Sequence, residues 1–327
     1  MKKVLIIRFS SIGDIVLTSP VIRCLKGQLP GVEIHFLTKK QYYPILQSNP
    51  YLSKIWSYDD NFEELIPLLR AENFDFIADL HKNFRSKYIL FRLMKPNHSF
   101  PKLDLKKWLL VRFKIDRLPK IHIADRYFEA LNLFGISNDG KGLDYFIPEN
   151  EEVDPVKFMP SRETGYIAFS IAGKHNTKIL PEEKVVDICK AMNRPVILLG
   201  GNEDKARGER IQFQSGNHVM NGCGMFSINQ SASLIMQAEK VITNDTGLMH
   251  IAAAFKKPVL SVWGNTVPEF GMYPYLPEDQ KQNSYIFEVN GLSCRPCSKL
   301  GYDHCPKGHF RCMNDQDVTK MINVLKR

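Results

Sequence analysis

Short apolar runs alternate with amphipathic stretches through the first half of the chain. The runs are typical of buried strands, and the stretches between them, in which apolar residues recur every three or four positions, are typical of helices. We expect strands at 4–9, 32–38, 57–59 and 74–80, and helices at 14–26, 43–47, 62–70 and 122–133. Strands that alternate with helices predict a parallel sheet assembled from βαβ units.

The same alternation restarts after residues 146–163, where three prolines stand among mixed charges and predict a linker. Beyond it we expect strands at 166–171, 195–201, 218–220, 240–245 and 258–264, and helices at 181–192, 204–214, 227–238, 246–255 and 315–326. Two successive sheets predict an α/β protein with two facing Rossmann-like domains, 1–155 and 156–327. Because such sheets bind ligands beyond the carboxyl ends of their strands, the crevice between the domains is the expected site. We expect the last helix, 315–326, to pack back on the first domain.

Positive charge is concentrated in one part of the chain. The net charge is +9, and residues 82–126 alone contain thirteen lysines and arginines against three aspartates. The alternation weakens inside this segment, at 95–120, where basic and aromatic residues predict an insertion or a mobile loop. A basic patch of this kind favours an anionic partner (nucleic acid, a phospholipid surface or a phosphorylated substrate) over a merely solvated face, which would interleave both signs.

The composition excludes several classes of protein. Hydrophobic residues make up 44% of the chain and charged residues 24%, which excludes a disordered chain, a collagen-like fibre and a small disulfide scaffold. No apolar run reaches the roughly 18 residues that a membrane span needs. The apolar run near the N-terminus is interrupted at Arg8, too early for the core of a signal peptide, so we expect a cytoplasmic protein.

One candidate phosphate site lies where the strand 240–245 leads into a helix, in the sequence TNDTGLMH. Free backbone N–H groups and the positive end of the helix dipole favour an anion there. Gly247 lets the backbone approach a phosphate, Thr246 adds a hydroxyl donor, and Asp245 could orient a sugar hydroxyl. His250 lies one turn further on. The alternative is that these residues only cap the helix and that His250 is a buried helix histidine.

A second candidate site is the loop that follows the strand 166–171. It presents Lys174, His175, Thr177 and Lys178, which are phosphate ligands by residue type. The spacing of a P-loop is absent. The alternative interpretation is a basic surface loop.

Two further residues of the second half are candidates for nucleoside contacts. Glu203, with Asp204 close behind it, follows a strand and could accept hydrogen bonds from ribose hydroxyls. The alternative is a pair of acids that complement a helix dipole. Phe226 could form a wall beside a nucleobase, or it could be a core contact.

In the first half, the sequence RFSSIGD at 8–14 connects the first strand to the first helix. Ser10, Ser11 and Gly13 could meet a phosphate or a sugar, and Asp14 could deprotonate an acceptor hydroxyl. The alternative is that Asp14 is only a helix-capping acid. The motifs GxGxxG, GxSxG and HExxH are absent, so the sequence does not favour dinucleotide, serine-hydrolase or zinc-protease chemistry.

Four of the seven cysteines lie within nineteen residues of one another. They are Cys294, Cys297, Cys305 and Cys312. The first pair has the spacing of a zinc knuckle, whereas the second pair is more widely spaced, so a structural zinc site is one interpretation. Free thiols and a disulfide formed on oxidation are the others. We expect no catalysis at these cysteines.

Four segments occur in an order that is typical of one known family. They are VLIIRFSSIGDIVLTSPVI at 4–22, TKILP at 177–181, DTGLMHIAAA at 245–254 and CRPCSKLGYDHCPKGHFRCM at 294–313. On these segments, which span nearly the whole chain, the protein resembles glycosyltransferase family 9, whose best-known members are the ADP-heptose:lipopolysaccharide heptosyltransferases. One departure is Leu180, where the family often has tryptophan, and it affects the expected packing rather than the expected phosphate contact.

The resemblance implies a GT-B fold, that is, two facing Rossmann-like domains with parallel sheets and an inter-domain cleft. The second domain would bind the donor and the first the acceptor. It also implies an inverting enzyme that needs neither metal nor cofactor, with Asp14 as the catalytic base. The donor-binding residues that it implies are Thr177 and Lys178 for the diphosphate, Asp245, Thr246 and Gly247 for phosphate and sugar, Glu203 for the ribose, and His250 in a role that it leaves open.

The reaction that the resemblance implies is transfer of a heptose from ADP-heptose to a phosphorylated, lipid-linked acceptor of the lipopolysaccharide inner core. Lys82, Arg85 and the Lys106–Lys107 pair would then meet acceptor phosphates or anionic lipid at the inner face of the cytoplasmic membrane. Two alternatives stay open. One is a relative with another nucleotide-sugar donor or another acceptor. The other is a nucleic-acid-binding protein that uses 82–126, although no RRM, KH or helix-turn-helix signature is present and we expect no nucleic-acid partner.

Overall fold

The computed structural model describes residues 2–59, 61–159, 165–192 and 194–327. The chain divides into two compact units. The first unit runs up to Lys102 and resumes at Ile121–Pro148, and the second contains Leu103–Lys120 and Glu149–Arg327. The change at 148 lies seven residues before the expected boundary at 155, within the predicted linker, whose residues 160–163 lie outside the described part of the chain.

The described residues contain eleven strands, twelve α-helices and several 3-10 helices. The strands are β1 Lys3–Ile7, β2 Glu33–Lys39, β3 Lys54–Tyr58, β4 Phe76–Asp79, β5 Asn97–Ser99, β6 Ile167–Ser170, β7 Val196–Leu199, β8 Val219–Asn221, β9 Lys240–Asn244, β10 Val259–Trp263 and β11 Ser284–Glu288. The α-helices are α1 Ile12–Val16, α2 Ser19–Gln28, α3 Phe62–Ala71, α4 Phe84–Leu93, α5 Asp104–Phe113, α6 Ile123–Tyr127, α7 Glu182–Lys190, α8 Lys205–Ser215, α9 Ile228–Gln237, α10 Gly247–Ala254, α11 Arg311–Asn314 and α12 Val318–Lys326. The 3-10 helices are Lys40–Ile45, Phe128–Phe134, Glu149–Glu151, Pro155–Lys157, Asn176–Lys178, Asn202–Asp204, Pro268–Phe270 and Glu278–Asn283.

The first unit is built on a parallel five-stranded sheet in the order β3-β2-β1-β4-β5. Its central strand β1 is buried from Val4 to Ile7, with no alternation of apolar and polar residues. Such a continuous apolar run is what a strand needs when helices cover both faces of a parallel sheet. Leu5 pairs with His35 of β2 on one side and with Ile77 of β4 on the other.

The helix predicted at 14–26 is divided into α1 and α2. Pro20 explains the interruption, because a proline has no N–H to donate to the carbonyl four residues earlier. It is tolerated in the first turn of a new helix, where that N–H would have no partner inside the helix. Thr18, just before α2, uses its hydroxyl to bond the carbonyl oxygen of Ile15 at 2.7 Å.

Of the two alternatives for 95–120, the mobile loop was wrong, because this segment forms β5 and α5. The other alternative, an insertion, agrees with the division of the chain, since Leu103–Lys120 of the second unit interrupts the sequence of the first. Leu110 of α5 packs with Val267 and Phe270 of the second unit. Its neighbours in sequence carry apolar side chains on both faces of the helix, which hid the helical period. Leu103–Lys120, which includes α5, belongs to the second unit although it precedes the last part of the first, whereas β5 belongs to the first unit.

The second unit is built on a parallel six-stranded sheet in the order β11-β10-β9-β6-β7-β8. This is the strand order of a dinucleotide-binding Rossmann sheet, whose direction of winding reverses between β6 and β9. The expected α/β class with two parallel sheets is confirmed. The strand β11 and the helix α4 were not predicted.

The last helix, α12, packs in the core of the second unit. Met321 and Leu325 are fully buried in the apolar core of the second unit, beside Ile188 and Cys189 of α7. The Lys240 ammonium donates to backbone carbonyls near the end of the helix. No α-helix within the described ranges is both long enough and apolar enough to cross a lipid bilayer.

Candidate functional site

Two loops of the first unit lie side by side at the carboxyl edge of the sheet. The strand order reverses between β1 and β4, which pair in parallel, so the loops that follow them open a crevice of the kind that binds ligands. The loop after β1 carries 8–11 into α1, and the loop after β4 carries His81 and Lys82. A hydrogen bond of 2.5 Å from the Arg8 guanidinium to the carbonyl oxygen of Leu80 joins the two loops.

Asp14 lies in the first turn of α1, where its carboxylate forms a capping box with Ser11. One carboxylate oxygen accepts from the Ser11 amide at 3.1 Å and from the Ser11 hydroxyl at 2.9 Å. The other lies 2.6 Å from the Arg8 guanidinium, and the side chain is 17% exposed. Burial alone would raise the pKa of Asp14, but Arg8 and the bonds from Ser11 outweigh it and hold the pKa below its usual value. Asp14 thus caps the helix and also presents an ionised carboxylate.

In the sequence, Arg8 only interrupts an apolar run, and no role in the site was predicted for it. In the structure its side chain is buried at the end of β1 and donates to the carbonyl oxygen of Ser10 at 2.8 Å. Its guanidinium lies 5.8 Å from the ring centre of Tyr127. A buried arginine needs a charged or hydrogen-bonded partner. A basic residue at the end of a buried strand was therefore the feature of the sequence that could have predicted an acidic partner nearby.

His81 and Tyr127 add uncharged polar groups around the Arg8–Asp14 pair. Burial, followed by the positive charges of Arg8 and Lys102, lowers the pKa of His81 to about 3. Its Nδ1 atom and the Tyr127 hydroxyl are buried without a hydrogen-bond partner among the described residues. Burial also raises the pKa of Tyr127. At neutral pH both groups are uncharged and can exchange hydrogen bonds with a ligand.

The low pKa of His81 predicts a loss of stability in mildly acid solution. Below the ordinary histidine pKa of about 6.5, His81 binds a proton in the unfolded chain but stays neutral in the folded protein. The free energy of unfolding therefore falls by about 1.4 kcal/mol per pH unit. We expect His81→Gln to reduce by about 2 kcal/mol the stability that is lost between pH 6.5 and pH 5, as measured by urea unfolding. His98→Gln, an exposed histidine of the same unit, is the control. If the wild type, His81→Gln and His98→Gln lost equal stability over this pH range, the low pKa of His81 would be contradicted.

The residues predicted to meet the acceptor divide between the units. Lys82 follows β4, and its ammonium donates to the carbonyl oxygen of Phe100 at 3.1 Å. Arg85 is exposed in the first turn of α4. Lys106 and Lys107 lie on α5 and therefore in the second unit. The predicted contacts in the loop after β1 also differ in exposure, since Ser10 is half-buried, Ser11 is exposed and Gly13 is buried.

In the second unit, an asparagine side chain ties together the two predicted phosphate loops. Asn244 ends β9, and its amide donates to the carbonyl oxygens of Ile171 at 3.2 Å and Ala172 at 3.0 Å. Its own oxygen accepts from the amide of Leu180 at 3.1 Å. These bonds fix both ends of the loop after β6 against the end of β9, at the point where the strand order reverses. The sequence showed Asn244 only as part of a capping motif.

Lys178 and Asp245, which come from the two loops, form an ion pair. The Lys178 ammonium lies 2.6 Å from a carboxylate oxygen of Asp245. The same oxygen accepts a hydrogen bond of 2.8 Å from the hydroxyl of Thr266, a buried residue after β10. Thr266 belongs to no recognised motif, and its role follows only from the pairing of β10 with β9.

The helix α10 begins directly beside this ion pair. Thr246 is its N-cap and Gly247 its first residue, so the first-turn N–H groups, which have no partner within a helix, follow directly on the residue of the ion pair. The hydroxyl of Thr246 lies 3.3 Å from that of Thr243. His250 is buried within the helix.

Thr177 is placed differently from a free hydroxyl donor. Its side chain is buried, and its hydroxyl donates to the carbonyl oxygen of Tyr302 at 3.0 Å and accepts from the Tyr302 amide at 2.8 Å. Both hydrogen-bonding functions of the hydroxyl are therefore in use. In this arrangement Thr177 positions the neighbouring Lys178.

Tyr302 belongs to the cysteine-containing segment 294–312, which packs on the predicted phosphate loop. Close approach requires Gly301, because a Cβ atom there would lie 2.4 Å from the Cβ of His175. The segment is anchored by Arg295, whose guanidinium donates to the carbonyl oxygens of Gly264 at 2.6 Å and Thr266 at 2.9 Å. It therefore supports both Lys178 and the residue that holds Asp245.

The thiols of this segment differ in their surroundings. Cys312 is buried in the core, and burial raises its pKa to about 12. Cys294 lies 3.9 Å from the Nε2 atom of His309. Within the described part of the chain, no three or more histidine, cysteine or acidic side chains are grouped so that they could hold a metal ion. The four thiols are nevertheless near enough to act on one another electrostatically, since Cys294 and Cys305 contribute to raising the pKa of Cys297 after burial.

The predicted nucleoside contacts lie in the loops after β7 and β8. Glu203 is exposed in the 3-10 helix after β7, with its carboxylate over Gly201. Asp204 is buried and accepts from the Gly201 amide at 3.0 Å, so it caps this turn. Phe226 is half-buried and packs edge-on against Phe158, with ring centres 5.3 Å apart.

Comparison with known proteins identifies the family. The model of glycosyltransferase family 9 (heptosyltransferase) matches residues 62–299, which is well over half of the chain. The chain belongs to glycosyltransferase family 9. As a family 9 member it is a glycosyltransferase, which the resemblance had indicated. The match includes both loops of the second unit described above.

Individual family 9 proteins resemble the chain over its whole length. Lipopolysaccharide heptosyltransferase 1 of Campylobacter coli is 23% identical, over 99% of this chain and 98% of the relative. The solved family 9 glycosyltransferase of Veillonella parvula has a TM-score of 0.79 at 20% identity, covering 99% of this chain and 96% of that one. The E. coli heptosyltransferase WaaC, solved with ADP, has a TM-score of 0.70 at 19% identity, with 99% of each chain covered. These likenesses show the fold, and the GT-B class of two Rossmann-like units is confirmed.

Proposed function

We propose that this glycosyltransferase moves a heptose from ADP-heptose to a phosphorylated, lipid-linked acceptor of the lipopolysaccharide inner core. The observation that carries the proposal is the ion pair between Lys178 and Asp245 beside the N-terminus of α10. An ammonium group, free backbone N–H groups and a carboxylate together match a sugar diphosphate, because the first two bind phosphate and the third accepts from sugar hydroxyls.

The donor would bind in the second unit with its diphosphate at Lys178 and α10. Negative charge collects on the diphosphate as the bond to the sugar breaks, and the Lys178 ammonium and the α10 amides would stabilise that charge without a metal. Glu203 and Phe226 would contact the nucleoside from the loops after β7 and β8. The names of the relatives support this assignment, since WaaC was solved with ADP and the Campylobacter relative is a lipopolysaccharide heptosyltransferase.

Asp14 would act as the general base in the first unit. Its ionised carboxylate takes the proton from an acceptor hydroxyl, and that oxygen forms a bond to the anomeric carbon of the donor sugar. The bond between this carbon and the diphosphate breaks on the opposite side, and the leaving group takes the electron pair. Attack opposite the leaving group inverts the configuration of the anomeric carbon. Arg8 would hold the carboxylate in position.

With such an acceptor, the reaction would take place at the inner face of the cytoplasmic membrane. The protein would be cytoplasmic and would associate peripherally with that membrane. Lys82 and Arg85 would bind acceptor phosphates or anionic lipid, since each is a basic residue next to the loop that carries His81. Lys106 and Lys107 would add the same chemistry in the second unit.

The proposed donor predicts the nucleotide preference of the purified protein. We expect calorimetric titration to show that ADP binds at least about tenfold more tightly than UDP or GDP, because contacts to the base are then specific. ADP-heptose together with heptose-free lipopolysaccharide should give a product one heptose heavier by mass spectrometry, with an inverted anomeric proton signal. Preference for UDP or GDP would indicate a UDP-sugar or GDP-sugar donor in place of ADP-heptose. Absence of any nucleotide binding would overturn the proposal.

A further inference from the structure

The outer face of α4 carries large apolar side chains that nothing in the first unit covers. Phe84, Phe91 and Met94 are 92%, 75% and 80% exposed. Phe84 and Phe91 share one face of the helix, since residues seven apart are two turns apart, and Met94 follows directly as the C-cap. Lys87 lies on the same face. A surface helix normally turns polar residues outward, so this stripe needs an explanation other than packing.

The opposite face of α4 accounts for its attachment to the first unit. Ile89 and Leu93 are buried in the core beside Ile66 and Leu69 of α3. Asn83 caps the helix by accepting from the Ser86 amide at 2.9 Å. The helix is therefore held in place without any contribution from Phe84, Phe91 or Met94.

Basic residues surround the apolar stripe. Arg85, Lys87, Arg92 and Lys95 all lie on or next to α4. Arg92 forms a salt bridge of 3.3 Å with Glu63 of α3. The stripe lies in the basic segment 82–126, which contains thirteen basic and three acidic residues. Its charge is complementary to an anionic surface.

We propose that the outer face of α4 docks on an anionic phospholipid bilayer, with Phe84, Phe91 and Met94 entering the boundary between headgroups and acyl chains. Exposed aromatic and aliphatic residues interleaved with lysine and arginine are the composition of a helix that lies in a membrane interface. The long basic side chains can reach phosphate while their stems stay beside the apolar residues. The inference rests on the proposed function for its setting, because a lipid-linked acceptor brings the enzyme to a membrane.

Co-sedimentation with vesicles tests the docking surface. We expect the wild-type protein to bind vesicles of phosphatidylglycerol and phosphatidylethanolamine and not vesicles of phosphatidylcholine. The double variant Phe84→Ser/Phe91→Ser should bind the anionic vesicles at least about tenfold more weakly, since two side chains no longer enter the interface. Lys87→Glu should weaken binding by about tenfold as well. Phe213→Ser is the matched control, because Phe213 is 89% exposed on α8 of the second unit.

The proposal is overturned if the wild-type protein binds neither kind of vesicle, if it binds both equally, or if the double variant sediments like the Phe213→Ser control. ADP titration of every variant separates this from the proposed function. Loss of vesicle binding with unchanged ADP affinity supports the docking surface, whereas a wild-type protein that binds vesicles through α4 but no nucleotide would support docking and refute the proposed function.

Discussion

Asp14→Asn should lower the turnover number by about 100-fold to 10,000-fold, the range that a general base contributes. Asparagine keeps the shape of the side chain and can still accept from Ser11, but it cannot take a proton from the acceptor hydroxyl. ADP binding should be unchanged, because the expected donor site lies in the second unit. Steady-state kinetics with ADP-heptose and calorimetry with ADP measure the two quantities separately.

The variant also removes the partner of a buried arginine, so a control for folding is needed. Breaking a buried ion pair by removing one partner typically costs about 3–5 kcal/mol. Asp144→Asn is matched, because Asp144 is a half-buried carboxylate of the same unit that pairs with Arg23. Similar losses of activity in Asp14→Asn and Asp144→Asn, at similar losses of thermal stability, would show that Asp14 acts through the fold and not as the base.

The regular alternation of apolar runs predicted the two sheets apart from the edge strands β5 and β11, because a parallel strand buried on both faces has little polar sequence within it. The same argument failed for α5. Its apolar residues lie on both faces, and Leu110 packs on parts of the chain more than 150 positions away, at Val267 and Phe270. Contacts at that sequence separation leave no local period to detect. α12 was predicted as a helix but not where it packs, for the same reason.

The loops of the candidate site could be predicted because each follows a strand and leads into a helical turn, where free N–H groups and capping residues gather. The pairs inside the site could not. Arg8 meets Asp14 within one loop, but His81 reaches the same place only because β4 pairs with β1. Thr266 reaches Asp245 only because β10 pairs with β9. Strand order, and not the spacing of residues, brings these groups together.

The cysteine-containing segment shows a further limit of motif-based interpretation. Cysteine spacing left a zinc site, free thiols and a disulfide open, whereas the hydrogen bonds of the structure show that the segment supports the predicted phosphate loop. Tyr302 holds Thr177 through backbone groups, and Arg295 holds the carbonyl oxygen of Thr266. Backbone hydrogen bonds of this kind require only that Gly301 allow the close approach. A residue-type pattern therefore could not reveal them.

Lys178→Ala should weaken ADP binding by at least about tenfold and lower the turnover number by a further factor of about 100 to 1,000. The first effect removes a charge-assisted hydrogen bond to the diphosphate. The second arises because the negative charge on the leaving diphosphate is larger in the transition state than in the bound donor. Calorimetry with ADP and steady-state kinetics with ADP-heptose measure them. Lys190→Ala, an exposed lysine at the end of α7 in the same unit, is the control and should change neither by more than about twofold.

The neighbouring carboxylate provides a stricter test. Without Lys178, the charge of Asp245 would lie unneutralised beside the diphosphate and repel it, since the ammonium now lies 2.6 Å from that carboxylate. The double variant Lys178→Ala/Asp245→Asn separates this repulsion from the loss of a direct contact, with Asp245→Asn alone as its reference. If Lys178 binds the diphosphate, the double variant still binds ADP more weakly than Asp245→Asn. Equal affinities would mean that Lys178 serves only to neutralise Asp245, and the donor site would have to be sought among the other loops of the second unit.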